Sequence, residues 1–407
     1  MSQTRTLVGL DIGTTKIAAI IAELPEGEDI PRLVGLGMVP SEGMRRGVVV
    51  DLEKTIRAIS KAVSDAELMA GVKVESVIAG LSGDHIRSIN SHGVIAVSRS
   101  DNEITEADVE RVIDAARAVA IPADREIVHI LPQEYIIDEQ DGVKVPVGMS
   151  GVRLEAEVHI VTAATTAVRN IYRAINRCDL EVEALVLEAL ASSYAILTDD
   201  EQELGVAVVD LGGSTTNIAV YFDGSIRHTS TVPLGSKNVT NDIAIGLRTP
   251  IEQAEEIKLN YGAAMPALVN ADQMISVPGI GGRASREISR HVLASIIGPR
   301  MEEILAMAQR EVKKANYPDT LAAGVVLTGG GSLLPGAAEL AEQIFDMPVK
   351  IGVPRGFDGL ADMADSPIHA TGIGLIYYGL RHADEVMKRS ASRGVFRRIE
   401  RWFNEHF

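Results

Sequence analysis

The sequence predicts an α/β protein in which one strand–turn–strand unit occurs twice, followed by a third glycine turn and a chemically distinct end. Three observations carry that prediction. The segment Leu7-Val-Gly-Leu-Asp11-Ile-Gly13-Thr14-Thr15-Lys16-Ile17-Ala18 is echoed by Val206-Ala-Val-Val-Asp210-Leu-Gly212-Gly213-Ser214-Thr215-Thr216-Asn217-Ile218-Ala219, with the two aspartates 199 residues apart. A third apolar strand leads into another turn, Gly324-Val-Val-Leu-Thr328-Gly329-Gly330-Gly331-Ser332-Leu-Leu-Pro335-Gly336. The last twenty residues reverse the charge of everything before them.

At 407 residues the chain holds roughly two to three domains of about 150 residues. With 46% hydrophobic and 23% charged residues it is foldable and not disordered. A net charge of −17 argues against nucleic acid as the main partner. One cysteine, Cys178, excludes a disulfide framework and a thiolate metal cluster, and reads as a small buried hydrophobe. Thr6 to Leu10 already reads as a strand, so no leader is expected and the protein is placed in the cytoplasm. The uncharged stretch Thr320 to Ala338 is interrupted by five glycines and Pro335, which excludes one continuous membrane-spanning helix.

In chain order, residues 5 to about 84 read as strands and a helix, Leu52 to Ala70, leading to the strand Val77 to Ser82. A unit with its own pattern follows. It has a strand near Gly93 to Ser98, a helix capped by Thr105-Glu-Ala-Asp108, and strands around Glu126 to Ile137 and Glu155 to Val161. Helices are expected at about 166–178 and 184–197, the second carrying Glu188. The repeat of the first unit begins at Leu204. An insertion from about Pro250 to Asn316 reads as mainly helical, with Thr249-Pro250-Ile251-Glu252 as a capped helix start. After the third turn, a helix runs from near His369 to Met387.

The repeated turns carry the chemistry. Each places an Asp at the end of an apolar strand, then glycine and hydroxyl residues, then another apolar strand, which is a β-hairpin with a flexible tip. Glycine lets backbone N–H groups approach an anion closely. Thr and Ser add donors, and Asp11 and Asp210 suit a Mg²⁺ held through water. Two such tips facing each other can clamp the phosphates of a nucleotide, with the third turn passing against the nucleoside or the α-phosphate. No G-x-x-x-x-G-K-[ST] motif is present, which excludes a P-loop enzyme. The nine histidines show no H-x-x-x-H spacing, so no dedicated transition-metal site is expected.

Residues 388 to 407 hold six basic against two acidic side chains, a net of +4, leaving −21 on the other 387 residues. Val395, Phe396, Ile399, Trp402, Phe403 and Phe407 share one helical face, while Arg397, Arg398 and Arg401 fall on the other side or its edges. A basic amphipathic helix with aromatic anchors is the form of an interfacial membrane anchor. Each cation near an anionic surface contributes about 1 kcal/mol. A terminal helix docked on the body by its apolar face is the other reading.

The three turns resemble the phosphate-1, phosphate-2 and adenosine turns of the actin, Hsp70 and sugar-kinase superfamily. Within it, the whole chain resembles the FtsA family of bacterial cell-division proteins, from the first strand through His129-Ile-Leu-Pro-Gln-Glu-Tyr135 and Pro146-Val-Gly-Met149 to the terminal helix. That resemblance implies a two-lobed actin-like ATPase fold with a small inserted 1C-type subdomain and a C-terminal amphipathic helix. Residues 5–84, 163–203 and 369–387 would form lobe 1 (subdomain 1A), and 85–162 the inserted subdomain 1C. Residues 204–249 and 317–368 would form lobe 2 (subdomain 2A), and 250–316 subdomain 2B. Residues 388–394 would be a linker and 395–407 the membrane-targeting helix.

The resemblance also implies ATP with Mg²⁺ as ligands. Phosphate contacts would come from Asp11, Gly13, Thr14, Thr15, Lys16, Gly212, Gly213, Ser214, Thr215 and Thr216. Adenosine contacts would come from Glu255, Lys258, Gly329, Gly330, Gly331 and Ser332, and Asp11 and Asp210 would hold Mg²⁺ through water. Glu255 and Lys258 also read as an ordinary exposed i, i+3 ion pair. Glu188 sits where active relatives position the attacking water; a polar residue in a buried helix is the competing reading. Asn217 stands where many relatives carry a second Asp, so slow turnover is expected, with ATP acting mainly as a structural ligand.

Members of the FtsA family polymerise, tether FtsZ filaments to the inner membrane and recruit later division proteins. The implied partners are therefore the FtsZ tail, further copies of the chain, an anionic lipid surface and later divisome membrane proteins, on the cytoplasmic face of the inner membrane at the septum. Arg283, Arg286, Arg290 and Arg300 are expected to meet the acidic FtsZ tail, because guanidinium groups bind carboxylates bidentately. Two alternatives stay open: a soluble sugar-type kinase or chaperone ATPase, and another actin-like partner such as a pilus-assembly adaptor or the cell-shape protein MreB.

Overall fold

The computed structural model describes residues 4–98, 101–315 and 321–382. The expected terminal helix and linker, residues 388–407, lie outside them, as does the end of the helix expected to reach Met387. Among the described residues no helix is long and apolar enough to cross a membrane.

Two sheets dominate, and each begins with the same antiparallel meander. Arg5–Ile12 pairs with Lys16–Leu24, which pairs with Arg32–Pro40; Val206–Leu211 pairs with Thr216–Phe222, which pairs with Ser225–Val232. Ser76–Leu81 then joins the first meander in parallel and carries Glu181–Leu187 at the sheet edge; Val325–Thr328 and Val349–Ile351 extend the second. Residues 17–22 and 206–211 are buried without alternation, as strands covered on both faces must be. Each sheet has its own apolar core, the first around Leu10, Ile20 and Ile78, the second around Val209, Ile243 and Leu327.

Helix Leu52–Ala70 covers the first meander. Asp51 caps its start by accepting from the Lys54 N–H, and Gly71, at φ 71°, ends it in the left-handed region. Helices Glu188–Ile196 and Ala370–Arg381 pack against each other between the sheets.

Residues 83–162 form a third unit with its own core. Four strands are ordered Arg87–Ala96, Arg153–Ala164, Arg125–Ile137 and Gln140–Val143, with helix Glu106–Arg117 against them. Thr105 and Asp108 form the expected capping box.

Three local expectations are corrected. The helix expected from residue 184 is a strand through Leu187, and the helix starts at Glu188. A short continuous apolar run has no period that separates a buried strand from a buried helix. Thr249 does not cap the next helix, since Pro250 is extended (φ −56°, ψ 150°) and the helix begins at Ile251. The residue before a proline is pushed away from helical geometry, and the Thr249 hydroxyl is left buried without a partner. The insertion after Pro250 also contains a small hairpin, Met274–Val277 with Arg286–Ser289, ahead of the long helix Arg290–Lys313.

Candidate functional site

The two hairpin tips meet in a cleft between the sheets. Ser214 Oγ donates to Thr14 Oγ1 over 2.7 Å, and both side chains are buried. Gly213 is pressed against Thr15: a Cβ at position 213 would lie 2.3 Å from Thr15 Cγ2. Asp11, Gly13, Thr14, Thr15, Lys16, Asp210, Gly212, Gly213 and Thr215 line one small cavity of about 100 Å³. The third turn crosses it through Gly329 and Gly330.

That polar cavity adjoins a larger one of about 370 Å³, with which it shares Thr15, Ser236, Gly330 and Ile368 as walls. Its walls are Glu255, Lys258, Gly331 and the apolar Val239, Leu259, Met301, Leu333 and Leu334. Lys258 is 8% exposed while the Glu255 side chain is 43% exposed, so the lysine end of the pair is buried against the cavity. Its Nζ donates to Glu255 Oε2 (2.8 Å) and to Thr240 Oγ1 (2.9 Å). A small polar end joined to a larger, partly apolar end has the shape and polarity of a bound nucleotide, phosphates inward.

Carboxylates gather at the polar end. Asp210 Oδ2 accepts from Ser192 Oγ (2.8 Å) and Thr371 Oγ1 (3.3 Å), and Asp11 is paired with Lys16. Glu188 Oε2 accepts from Asn217 Nδ2 over 3.0 Å. Burial, with the Asp11 charge nearby, pushes the Glu188 carboxyl up to about 8 against the help of Ser82. Burial likewise pushes Asp210 up to about 6.

The donor set fits a magnesium ion. Among the described residues no three histidine, cysteine or carboxylate side chains form a metal cage. Magnesium does not need one, since it keeps several waters and takes one or two carboxylates plus phosphate oxygens. Buried carboxylates held partly protonated are groups that a cation would ionise. Gly329, at φ 77°, is required here: a Cβ there would lie 2.2 Å from Asp210 Oδ1.

Other expected residues lie beside the cavities. Thr216 and Ser332 direct their hydroxyls to the carbonyls of Leu234 (2.9 Å) and Gly329 (2.7 Å). Of the four arginines, Arg283 is exposed. Arg286 donates to the Leu247 carbonyl, and Arg290 to the Tyr261 carbonyl and Gln273. Arg300 is bidentate to Asp242 and also pairs with Glu303. Sequence reasoning missed Ser82, Ser192, Ser236 and Thr371. Ser82 follows a strand, Ser236 and Thr371 lie at helix starts and Ser192 lies mid-helix, positions that only the tertiary arrangement makes specific.

Comparison with known proteins agrees along the whole chain. The family described as "Cell division protein FtsA" matches residues 207–374, and "SHS2 domain inserted in FTSA" matches residues 83–162. A relative named "Cell division protein FtsA" from Pseudomonas aeruginosa is 48% identical over 99% of this chain and 98% of its own. Among solved structures, the PilM–PilN type IV pilus biogenesis complex is similar at a TM-score of 0.66 and 17% identity, covering 92% of this chain and 98% of its own. MreB5 of Spiroplasma citri bound to ADP is similar at a TM-score of 0.55 and 15% identity, over 94% and 98%. These structural likenesses show that the chain shares the actin-like fold.

Proposed function

The chain belongs to the FtsA family of cell-division proteins, and from that premise we propose that it is an ATP-controlled adaptor that holds FtsZ filaments on the cytoplasmic membrane. The observation that carries the nucleotide half is the contact of the two glycine tips, Thr14 with Ser214, beneath Gly329–Gly331. The solved neighbour bound to ADP supports the same reading. In it, the backbone N–H groups of the two tips and the Thr15 and Thr215 hydroxyls bind the phosphates, and Lys16 leaves Asp11 to neutralise them. Lys258 and Glu255 orient the nucleoside over the third turn. Magnesium, held through water by Asp11 and Asp210, would spread the charge of the phosphates.

Glu188 then holds a water at the phosphate end, a reading supported by the hydrogen bond through which Asn217 fixes its carboxyl. The amide of Asn217 stands where a further carboxylate would sit near the metal, which supports slow turnover. ATP then acts mainly by closing the lobes and favouring contacts between copies of the chain. Subdomain 2B takes the acidic FtsZ tail. Arg283 is its available guanidinium, whereas Arg300 would have to give up Asp242. The aromatic, basic terminal segment Val395–Phe407 supplies the membrane contact, and an array of copies binds far more firmly than one. Later divisome proteins are recruited to the same assembly.

The test is sedimentation of FtsZ filaments with anionic vesicles. FtsZ should pellet with them only when the full chain and Mg-ATP are both present. Pelleting that ignores the nucleotide would contradict an ATP-controlled adaptor.

A further inference from the structure

The inserted unit, residues 83–162, grips both ends of one bridge across the cleft. The bridge is the 3.0 Å hydrogen bond from Asn217 Nδ2 to Glu188 Oε2. On the Glu188 side, Leu187 is the last residue of the edge strand Glu181–Leu187 and immediately precedes Glu188. Its backbone N–H donates to His129 Nε2 of the inserted unit over 3.0 Å, and His129 is 6% exposed. A side chain from the inserted unit thus satisfies an edge-strand donor that no neighbouring strand meets.

On the Asn217 side, Asn217 Oδ1 accepts from Thr231 Oγ1 (3.1 Å) of the edge strand Ser225–Val232. The outer rim of that strand is bound by the same inserted unit. Ser88 Oγ donates to the Thr229 carbonyl (2.8 Å), Asn90 Nδ2 to that of Arg227 (3.2 Å), and Gln133 Nε2 to that of Ile226 (2.7 Å). His159, 1% exposed, joins Asn90 Oδ1 (2.6 Å) to Thr229 Oγ1 (2.9 Å). Buried polar seams of this kind hold one arrangement, because each group left unpaired is costly.

We infer that the inserted unit is a gauge of cleft closure, with His129 the positioning residue that sets Glu188 against Asn217. This rests on the reading that the cleft binds a nucleotide. Lobe opening parts Glu188 from Asn217, and the inserted unit must then release either Leu187 or the strand Ser225–Val232. A ligand that fills the phosphate end therefore biases the seam. By reciprocity, whatever binds the inserted unit in its closed arrangement tightens the nucleotide by the same factor. The link runs through these hydrogen bonds and the covalent backbone that joins them, Leu187 to Glu188 and Thr229 to Thr231, and not through mere spatial nearness.

The test compares Mg-ATP and Mg-ADP affinities of the full chain by calorimetry for wild type, His129→Ala and His129→Gln. Glutamine retains a carbonyl oxygen able to accept from the Leu187 N–H. His129→Ala should weaken Mg-ATP by about five- to tenfold, the lower end of ordinary coupling energies, with Mg-ADP unchanged. His129→Gln should keep most of the wild-type affinity. Loss of both nucleotides together with thermal stability, unrelieved by glutamine, would make His129 merely structural and overturn the inference. An unchanged ATP-to-ADP ratio would overturn it too. Wild type that binds neither nucleotide contradicts instead the reading of the cleft. Should His129→Ala fail to fold, hydrogen exchange on wild type decides. Mg-ATP should slow exchange in residues 125–137 and 225–232, and slowing confined to the cleft lining would contradict the coupling.

Discussion

Thr14 and Ser214, 200 residues apart in the chain, join hydroxyls over 2.7 Å at the floor of the cleft. That bond brings together two hairpins from two separate cores, so the polar end of the cleft exists only while the lobes are docked. Anything that wedges the tips apart acts on ligand binding before it acts on folding.

Gly213→Ala should therefore weaken Mg-ATP by at least about tenfold, since the new methyl collides with Thr15 at 2.3 Å. The second core is not touched, and the melting temperature of the empty protein should change little. Calorimetry beside a thermal melt checks both.

Glu188→Gln should slow turnover and yet stabilise the empty protein. The Glu188 carboxyl is raised by burial to about 8 from an ordinary value of 4.5. The folded state thus holds a proton that the unfolded chain loses, and stability falls as pH rises from 4.5 towards 8. Glutamine abolishes this term, so the variant's advantage should grow across that window and level off above it. Thermal melts of both proteins from pH 5 to pH 9 measure it; an advantage that shrinks with rising pH would contradict the assignment.

Acid should loosen the seam of the inserted unit. His159 is pushed down to about 3, first by burial and then by His228 and His129. The unfolded chain takes up a proton below about pH 6.5 that the folded state refuses until near pH 3, so stability is lost as pH falls between them. The loss approaches about 1.4 kcal/mol per pH unit for this one group within the window. Denaturant melts of wild type and His159→Gln, compared at pH 7 and pH 5, should show the smaller drop in the variant.

Arg283→Glu should reduce binding of an FtsZ tail peptide by about tenfold or more through charge reversal, leaving the fold intact because Arg283 is exposed. Arg300→Ala should instead lower stability, since it strips Asp242 and Glu303 of their shared partner. Peptide titration and thermal melts separate the two effects.

Much of the fold could be read before the structure, for definite reasons. Asp11 and Asp210 end uninterrupted apolar strands and are followed by glycine, a pattern that few local structures other than a hairpin satisfy. Leu52–Ala70 carries its own cap and a 3.6-residue period. The strand Glu181–Leu187 was not legible, because its second half, Ala184–Leu187, is an apolar run buried on both faces that has no periodicity. Nor was the seam: Ser88, Asn90 and Gln133 sit on strands like ordinary polar residues, and only the docked edge strand Ser225–Val232 shows what they bind. Asn217 reads in sequence as a lost carboxylate, whereas the structure gives it a partner on each side, Glu188 and Thr231.

The most direct measurement is co-sedimentation with anionic liposomes of the full chain and of a chain ending at Arg393, each with and without Mg-ATP. A nucleotide-controlled membrane adaptor predicts that only the full chain pellets and that Mg-ATP increases the pelleted fraction. If both chains stay in the supernatant, the terminal segment is not the anchor, and the protein does not work by assembling on the membrane.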